Sequence, residues 1–234
     1  MKIGIDLGGT KTEGILIDDV GKELSRTRIK TEKNYDGTIQ GIISIVKKFE
    51  SDFGNSTSVG IGMPGAVSSD SALVKNANSI WLNGKPFRKD LEKELDRKVH
   101  LENDANCFAL AEAKLGAGKN SNLVFGVIMG TGVGGGIIID GKIHHGRTNI
   151  AGEWGHHCLH PEGNICYCGK KGCVETYISG PALEKKWSNL TNQNQPLSEI
   201  IKSTDNPNFP KWKKSFLDDF GLSLANVIDI WIQM

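Results

Sequence analysis

No stretch of this chain is apolar enough, for long enough, to cross a membrane, and Asp6 would spoil the core of a secretory leader. Neither sign of charge is in excess. Lys plus Arg number 28 against 27 Asp plus Glu, a net charge of +1, so no broad field exists to draw nucleic acid or an anionic membrane surface. Phosphate, if bound, must be held locally. Cysteine is sparse and odd in number. Of the five, three are clustered like metal ligands, which speaks against a disulfide framework and for a reducing compartment. These absences predict a cytoplasmic protein that acts on small molecules, with no nucleic-acid or membrane partner. The 234 residues suffice for one large domain or two lobes.

What is present centres on residues 153 to 175. His156, Cys166, Cys168 and Cys173 have the chemistry and spacing of a closed tetrahedral zinc site, whose full shell makes the metal structural rather than catalytic. Unliganded thiols are the plainer alternative, and His157 and His160 are substitute ligands. Cys107 and Cys158 are then expected as buried thiols. Glu153 lies three residues before His156 and Glu175 two after Cys173, so the metal would fix two carboxylates near one imidazole. Rigid acceptors and a donor suit a polyhydroxylated ligand such as a sugar.

Residues 2 to 31 alternate apolar runs with turns and predict a three-strand meander. Ile39, Ile42, Ile43, Val46 and Phe49 follow at helical spacing, then a strand from Ser58 to Met63, a helix after Pro86 carrying Phe87, Leu91 and Leu95, and a strand from Val99 to Asn103. Asp104 is placed to cap a helix running from Ala105 towards Gly116. The pattern then begins again. Phe125 to Gly130 lies over Ile3 to Gly8, and Gly136 to Asp140 over Gly14 to Asp18, so a strand-turn-strand unit is duplicated. Two lobes on mixed sheets follow, residues 1–118 and 119–234, with two glycine-rich turns facing a cleft. Further helices are expected near Pro181 to Trp187 and Pro196 to Lys202. A long one carries Trp212, Phe216, Phe220, Leu224, Val227 and Trp231.

The first turn, Gly8, Gly9, Thr10 and Lys11, offers backbone N–H groups, a hydroxyl and a charge to phosphate, with Asp6 as the acid that holds Mg²⁺. A hairpin that needs glycine for geometry alone reads the same way. The second turn, through Gly130, Thr131, Gly132 and Gly134, repeats the design and favours a nucleotide. Asp104 is either an N-cap or a base for phosphoryl transfer at a strand's C-terminal edge. Asn103 beside it offers an amide to a hydroxyl. Lys75 to Asn78 and Trp81 to Gly84 are polar-aromatic loops that line a sugar pocket or form ordinary turns.

At these residues the chain resembles the ROK family of bacterial sugar kinases and sugar-responsive repressors. The resemblance rests on Asp6-x-Gly-Gly-Thr10, Gly62-x-Pro-Gly65, Glu102-Asn-Asp-Ala-Asn106, Gly130-Thr-Gly-x-Gly134, Gly152-Glu-x-Gly-His156 and Cys166-x-Cys168-x4-Cys173-x-Glu175. It implies an α/β, two-lobed actin-like ATPase (ribonuclease H-like) fold. It also implies Asp104 as base, and sugar contacts from Gly65, Asn78, Asn103, Glu153, His156 and Glu175. Zinc would sit on His156, Cys166, Cys168 and Cys173, and the two turns would hold the phosphates of Mg-ATP. A homo-oligomer, most simply a dimer, is expected.

The run from Lys75 to Gly84 with Pro86 and Phe87 looks most like the fructokinase (mannofructokinase) branch, which implies fructose first, mannose second and N-acetylglucosamine poorly. N-acetylglucosamine, N-acetylmannosamine and glucose kinases are the alternatives. A sugar-binding protein without turnover is the alternative of another class. The repressors' N-terminal helix-turn-helix has no counterpart before Ile3. Family members continue where this chain reads Asp229-Ile-Trp-Ile-Gln-Met234, which implies an incomplete second lobe, exposed Val227, Ile230 and Trp231, and weakened ATP binding.

Overall fold

The period-two pattern of the first thirty residues forms strands β1 (Lys2–Leu7), β2 (Lys11–Ile17) and β3 (Glu23–Lys30), paired antiparallel as a meander. The structure is a computed structural model and describes residues 1–231, with side chains to Ile230. Ile3, Ile5, Leu7 and Leu16 are buried beneath α1 (Tyr35–Phe53), which contributes Ile39, Ile42, Val46 and Phe49 to the same core. Asn34 starts this helix by accepting a hydrogen bond from the Gly37 N–H at 2.7 Å.

β4 (Ser58–Met63) runs parallel to β1 and is followed by a small hairpin of β5 (Ala66–Val67) and β6 (Val74–Lys75). Next come α2 (Phe87–Leu95), β7 (Val99–Asn103), parallel to β4, and α3 (Asp104–Leu115). The sheet order is β3-β2-β1-β4-β7, so the three parallel strands end at one edge. There Asp6 stands beside Gly62, and Gly62 beside Glu102. Phe87 and Leu91 of α2 are fully buried, each contributing about 1.5–3 kcal/mol relative to exposure.

A second sheet, ordered β10-β9-β8, is built from β8 (Leu123–Met129), β9 (Val133–Ile139) and β10 (Lys142–Ile143). β8 and β9 repeat the hairpin of β1 and β2, as the duplicated sequence predicts. Beyond a 3-10 turn at Trp154–His156 lie α4 (Glu175–Ile178), α5 (Gly180–Thr191), α6 (Leu197–Ile200) and α7 (Phe209–Trp231). Phe216, Phe220, Leu224 and Val227 of α7 pack on a cluster of Val133, Trp154, Leu159, Val174 and Ile178. Trp187 and Trp212 meet edge to face at 6.0 Å in a neighbouring cluster. Val227 is therefore packed rather than exposed, while Ile230 is 64% exposed. The side chain of Trp231 and residues 232–234 lie outside the described part.

The chain divides into two units, Met1–Val124 with Ile137–Ala151, and Phe125–Gly136 with Gly152 onward. The single crossing expected at residue 118 differs from this because residues 137–151 return to the first unit. Three polar contacts tie them there. Lys75 Nζ donates to Thr148 O at 2.7 Å, Asn149 Nδ2 to Val67 O at 2.9 Å, and His145 meets Glu102 at 2.7 Å. Among the described residues no helix is long and apolar enough to cross a membrane.

Candidate active site

In the first unit the parallel strands deliver Asp6, at the end of β1, and Asn103, at the end of β7, to one sheet edge. Asn103, not Asp104, caps α3. Its Oδ1 accepts from the N–H groups of Ala105 at 2.9 Å and Asn106 at 3.2 Å, and its Nδ2 donates to Gly65 O at 3.0 Å. The amide expected to greet a hydroxyl thus has one N–H already committed. Gly65 has φ +81°, and a Cβ there would lie 2.5 Å from Lys75 O, so only glycine lets this loop reach Asn103.

Asp104 is the first helical residue, and its Oδ1 accepts from the Ala105 N–H at 2.9 Å. Loss of water around its carboxylate raises its pKa, the Ala105 N–H opposes this, and the charge of Asp6 raises it further. Asp6 is raised as well, by desolvation and then Glu13, with Arg28 opposing. Glu102 steadies this edge. Its Oε1 accepts from the Asn103 N–H at 2.8 Å and from Asn106 Nδ2 at 2.9 Å, while Oε2 meets His145. Cys107 is half-buried and Cys158 exposed, not the two buried thiols expected. The Cys107 thiol is pushed up to about 11 by burial and by Glu102, Asp104 and Asp6, which keeps it protonated.

The first turn is held from within. Gly8 N–H donates to Lys11 O at 3.0 Å, and Thr31 Oγ1 donates to Gly8 O at 2.8 Å. Gly9, Thr10 and Lys11 are exposed. Ser79, whose buried hydroxyl has no partner among the described residues, lies close to Gly9: a Cβ there would be 3.7 Å from it. Asn78 is exposed beside Ala77, which the Asn83 carboxamide grips by both its N–H and C=O. Trp81, the centre of the fructokinase resemblance, donates from Nε1 to Thr38 Oγ1 at 2.9 Å and packs against the core. Its indole serves the fold.

The second unit carries the remaining residues. Gly130 and Thr131 are exposed. Gly130 N–H donates to Gly132 O at 2.8 Å, Gly180 N–H donates to Gly130 O at 2.8 Å, and Glu175 Oε2 accepts from the Val133 N–H at 2.9 Å. Trp154 Nε1 donates to Gly134 O at 2.7 Å. Gly152, at φ +91°, would place a Cβ 2.4 Å from Gly135 O, so the loop holding Glu153 presses on β9 without a side chain between.

His156, Cys166, Cys168 and Cys173 converge, with one ligand atom from each lying within 4.8 Å of the others. His156 Nδ1 is 3.6 Å from Cys166 Sγ, and Cys168 Sγ is 3.6 Å from Cys173 Sγ. A disulfide needs about 2.05 Å. Bonds of about 2.0–2.3 Å from a tetrahedral zinc put its ligand atoms roughly 3.5–3.8 Å apart, so the spacing fits the metal. Burial and neighbouring thiols push Cys173 up to about 12 and raise Cys166, a crowding that a dication would relieve. His157 is exposed, and His160 turns away to Asp219 at 2.9 Å, so neither substitutes as a ligand.

With Nδ1 towards the cysteines, His156 presents Nε2, which meets the Tyr167 hydroxyl at 3.1 Å. Burial, Glu175, Cys166 and Glu153 push that hydroxyl up to about 12. Tyr167 thus marks the place where the imidazole and both carboxylates are felt together. Sequence reasoning missed it, although its position between two candidate ligands was the available signal.

An α/β chain with mixed sheets, duplicated hairpins and this arrangement of acids and turns is an actin-like ATPase fold. The chain belongs to the ROK family, whose sequence model matches residues 2–233. It is 38% identical over 214 residues to an N-acetyl-D-glucosamine kinase of Vibrio parahaemolyticus, covering 87% of this chain and 71% of that protein. Among solved structures it is similar to a ROK family glucokinase from Streptomyces griseus in complex with glucose and AMPPNP. That match has TM-score 0.81 and 31% identity, and covers 98% of this chain and 79% of the other. A ROK hexokinase from Thermus thermophilus matches at TM-score 0.86 and 28% identity, over 98% and 78% of the two chains.

Proposed function

We propose that this chain is an ATP-dependent sugar kinase with N-acetyl-D-glucosamine as acceptor, in which Asp104 takes the proton from the attacking sugar hydroxyl. The observation that carries this reading is that Asn103 caps α3, so that Asp104 at the sheet edge is engaged through Oδ1 by the Ala105 N–H and is not spent on capping the helix. Its raised pKa brings it nearer the range in which a carboxylate is an effective base. Magnesium-bound ATP would supply the phosphoryl group and the counter-charge for its transfer.

In this reading Gly8, Gly9, Thr10 and Lys11, with Gly130, Thr131, Gly132 and Gly134, receive the phosphates, and Asp6 stands by the magnesium. Gly65, Asn78, Asn103, Glu153, His156 and Glu175 orient the sugar, and structural zinc joins His156 to the three cysteines. A homodimer is part of the same reading, and sedimentation showing only monomer would exclude it.

N-acetylglucosamine takes the place of fructose here on two grounds. Relatives at 35 to 38% identity are N-acetyl-D-glucosamine kinases, and the Trp81 loop that favoured fructose is occupied with the core. Glucose is the second reading, favoured by the Streptomyces griseus structure. Initial rates with N-acetylglucosamine, glucose and fructose decide among them; a higher kcat/KM for fructose would restore the fructokinase reading. Asp104→Asn should lower turnover by about 10²–10⁴ while sugar binding survives. A fully active variant would remove Asp104 from the mechanism, and a wild-type chain that binds sugar without forming ADP would mark a binding protein.

A further inference from the structure

Between α4, α5 and α7, the second unit contains a cavity of about 510 Å³ that shares no residue with either glycine turn. Its lining is cationic. Lys185 and Lys186 come from α5 and Lys211 from α7, against one lining carboxylate, Asp219. That carboxylate is already engaged. It is buried, and it accepts from Lys186 Nζ at 3.0 Å and meets His160 Nε2 at 2.9 Å. Ser215 Oγ also accepts from Lys186. Lys186 is thereby fixed and neutralised, whereas Lys185 and Lys211 form no ion pair among the described residues.

Lys185 and Lys211, both exposed, add unpaired positive charge to one concavity, which attracts an anion. The rest of the wall is neutral, with Asn164, Thr176, Tyr177 and Asn189 beside the apolar Ala182 and Leu190. The volume falls within the roughly 300–1,000 Å³ typical of small-molecule sites and exceeds what a bare phosphate fills. We propose that this cavity binds a phosphate group, carried by a small polyhydroxylated ester or as the free ion, with the charge on Lys185 and Lys211. The cavity shares no residue with the glycine turns, Asp104 or the metal cluster, so its occupant is a ligand of the enzyme rather than its substrate.

The test is titration calorimetry of the full chain with inorganic phosphate and, separately, with glucose 6-phosphate. The expected result is a saturable binding component that persists in Lys11→Ala, which alters the first glycine turn. It should weaken at least about tenfold in Lys185→Ala/Lys211→Ala. Asn189→Glu, which places a carboxylate in the cavity without removing a lysine, should weaken it similarly. Tighter binding of glucose 6-phosphate identifies the ester as the ligand, and equal affinity identifies phosphate itself. The proposal is overturned by binding that survives both the double lysine and the Asn189→Glu changes, by binding lost in Lys11→Ala, or by no saturable binding in the wild type.

Discussion

The turns at Gly8–Lys11 and Gly130–Gly132 join hairpins of the same sequence design, yet they are held differently. The first closes on itself and on Thr31, the residue that follows β3. The second is braced by Glu175, 42 residues beyond the Val133 N–H that it accepts from, and by Gly180, and Glu175 follows the candidate metal ligand Cys173 by two positions. Duplication copies a hairpin, but not the contacts that hold its turn. Disturbing the metal cluster should therefore reach the second turn and spare the first.

Removal of the proposed zinc gives the largest expected effect. Binding free energies for structural zinc are on the order of 10 kcal/mol, so chelation, or Cys168→Ser, should loosen the second unit. Amide exchange should accelerate at Gly132 and Val133 while Lys11 and Thr12 keep their protection. Equal acceleration in both turns, or in neither, would break the contrast. Next in size is Glu175→Ala, which leaves the Val133 N–H unpaired at a cost of about 1–3 kcal/mol and should produce local exchange at Val133 with the metal still bound.

The mirror experiment is Thr31→Val, which removes the hydroxyl contacts to Gly8 O and Thr12. A loss of about 1 kcal/mol is expected in a denaturation series, with exchange faster at Lys11 and unchanged at Val133. The smallest effect is on pH dependence. In the proposed mechanism Asp104 would act when deprotonated, and its pKa is raised, so kcat/KM should fall as pH drops through a value above the ordinary 3.8. An acid limb at or below that value would detach Asp104 from the limb.

The elements that the sequence announced most clearly were those with a strong period. The strand at Ser58–Met63 and the helix carrying Phe87, Leu91 and Leu95 appear where apolar spacing put them. The four metal-cluster residues were legible because cysteine and histidine at short spacing have few other uses. That Asn103 rather than Asp104 caps α3 was not, because either residue caps a helix well and the hydrogen bond that ties Asn103 to Gly65 O is a tertiary contact. The return of residues 137–151 to the first unit was also hidden. It depends on single hydrogen bonds from Lys75 and Asn149 to backbone carbonyls, which leave no periodic trace.

The distant bracing of the second turn has a consequence for biosynthesis. On the ribosome, the first turn has all its partners once Thr31 has emerged, whereas the second waits for Glu175 and Gly180. At about 5–20 residues per second, the stretch from Gly130 to Gly180 takes roughly 3–10 s to make. During that interval the nascent chain carries one finished glycine turn and one unbraced copy of it. A pause or a shortage of metal in those seconds should leave a half-formed enzyme whose N-terminal hairpin is already native.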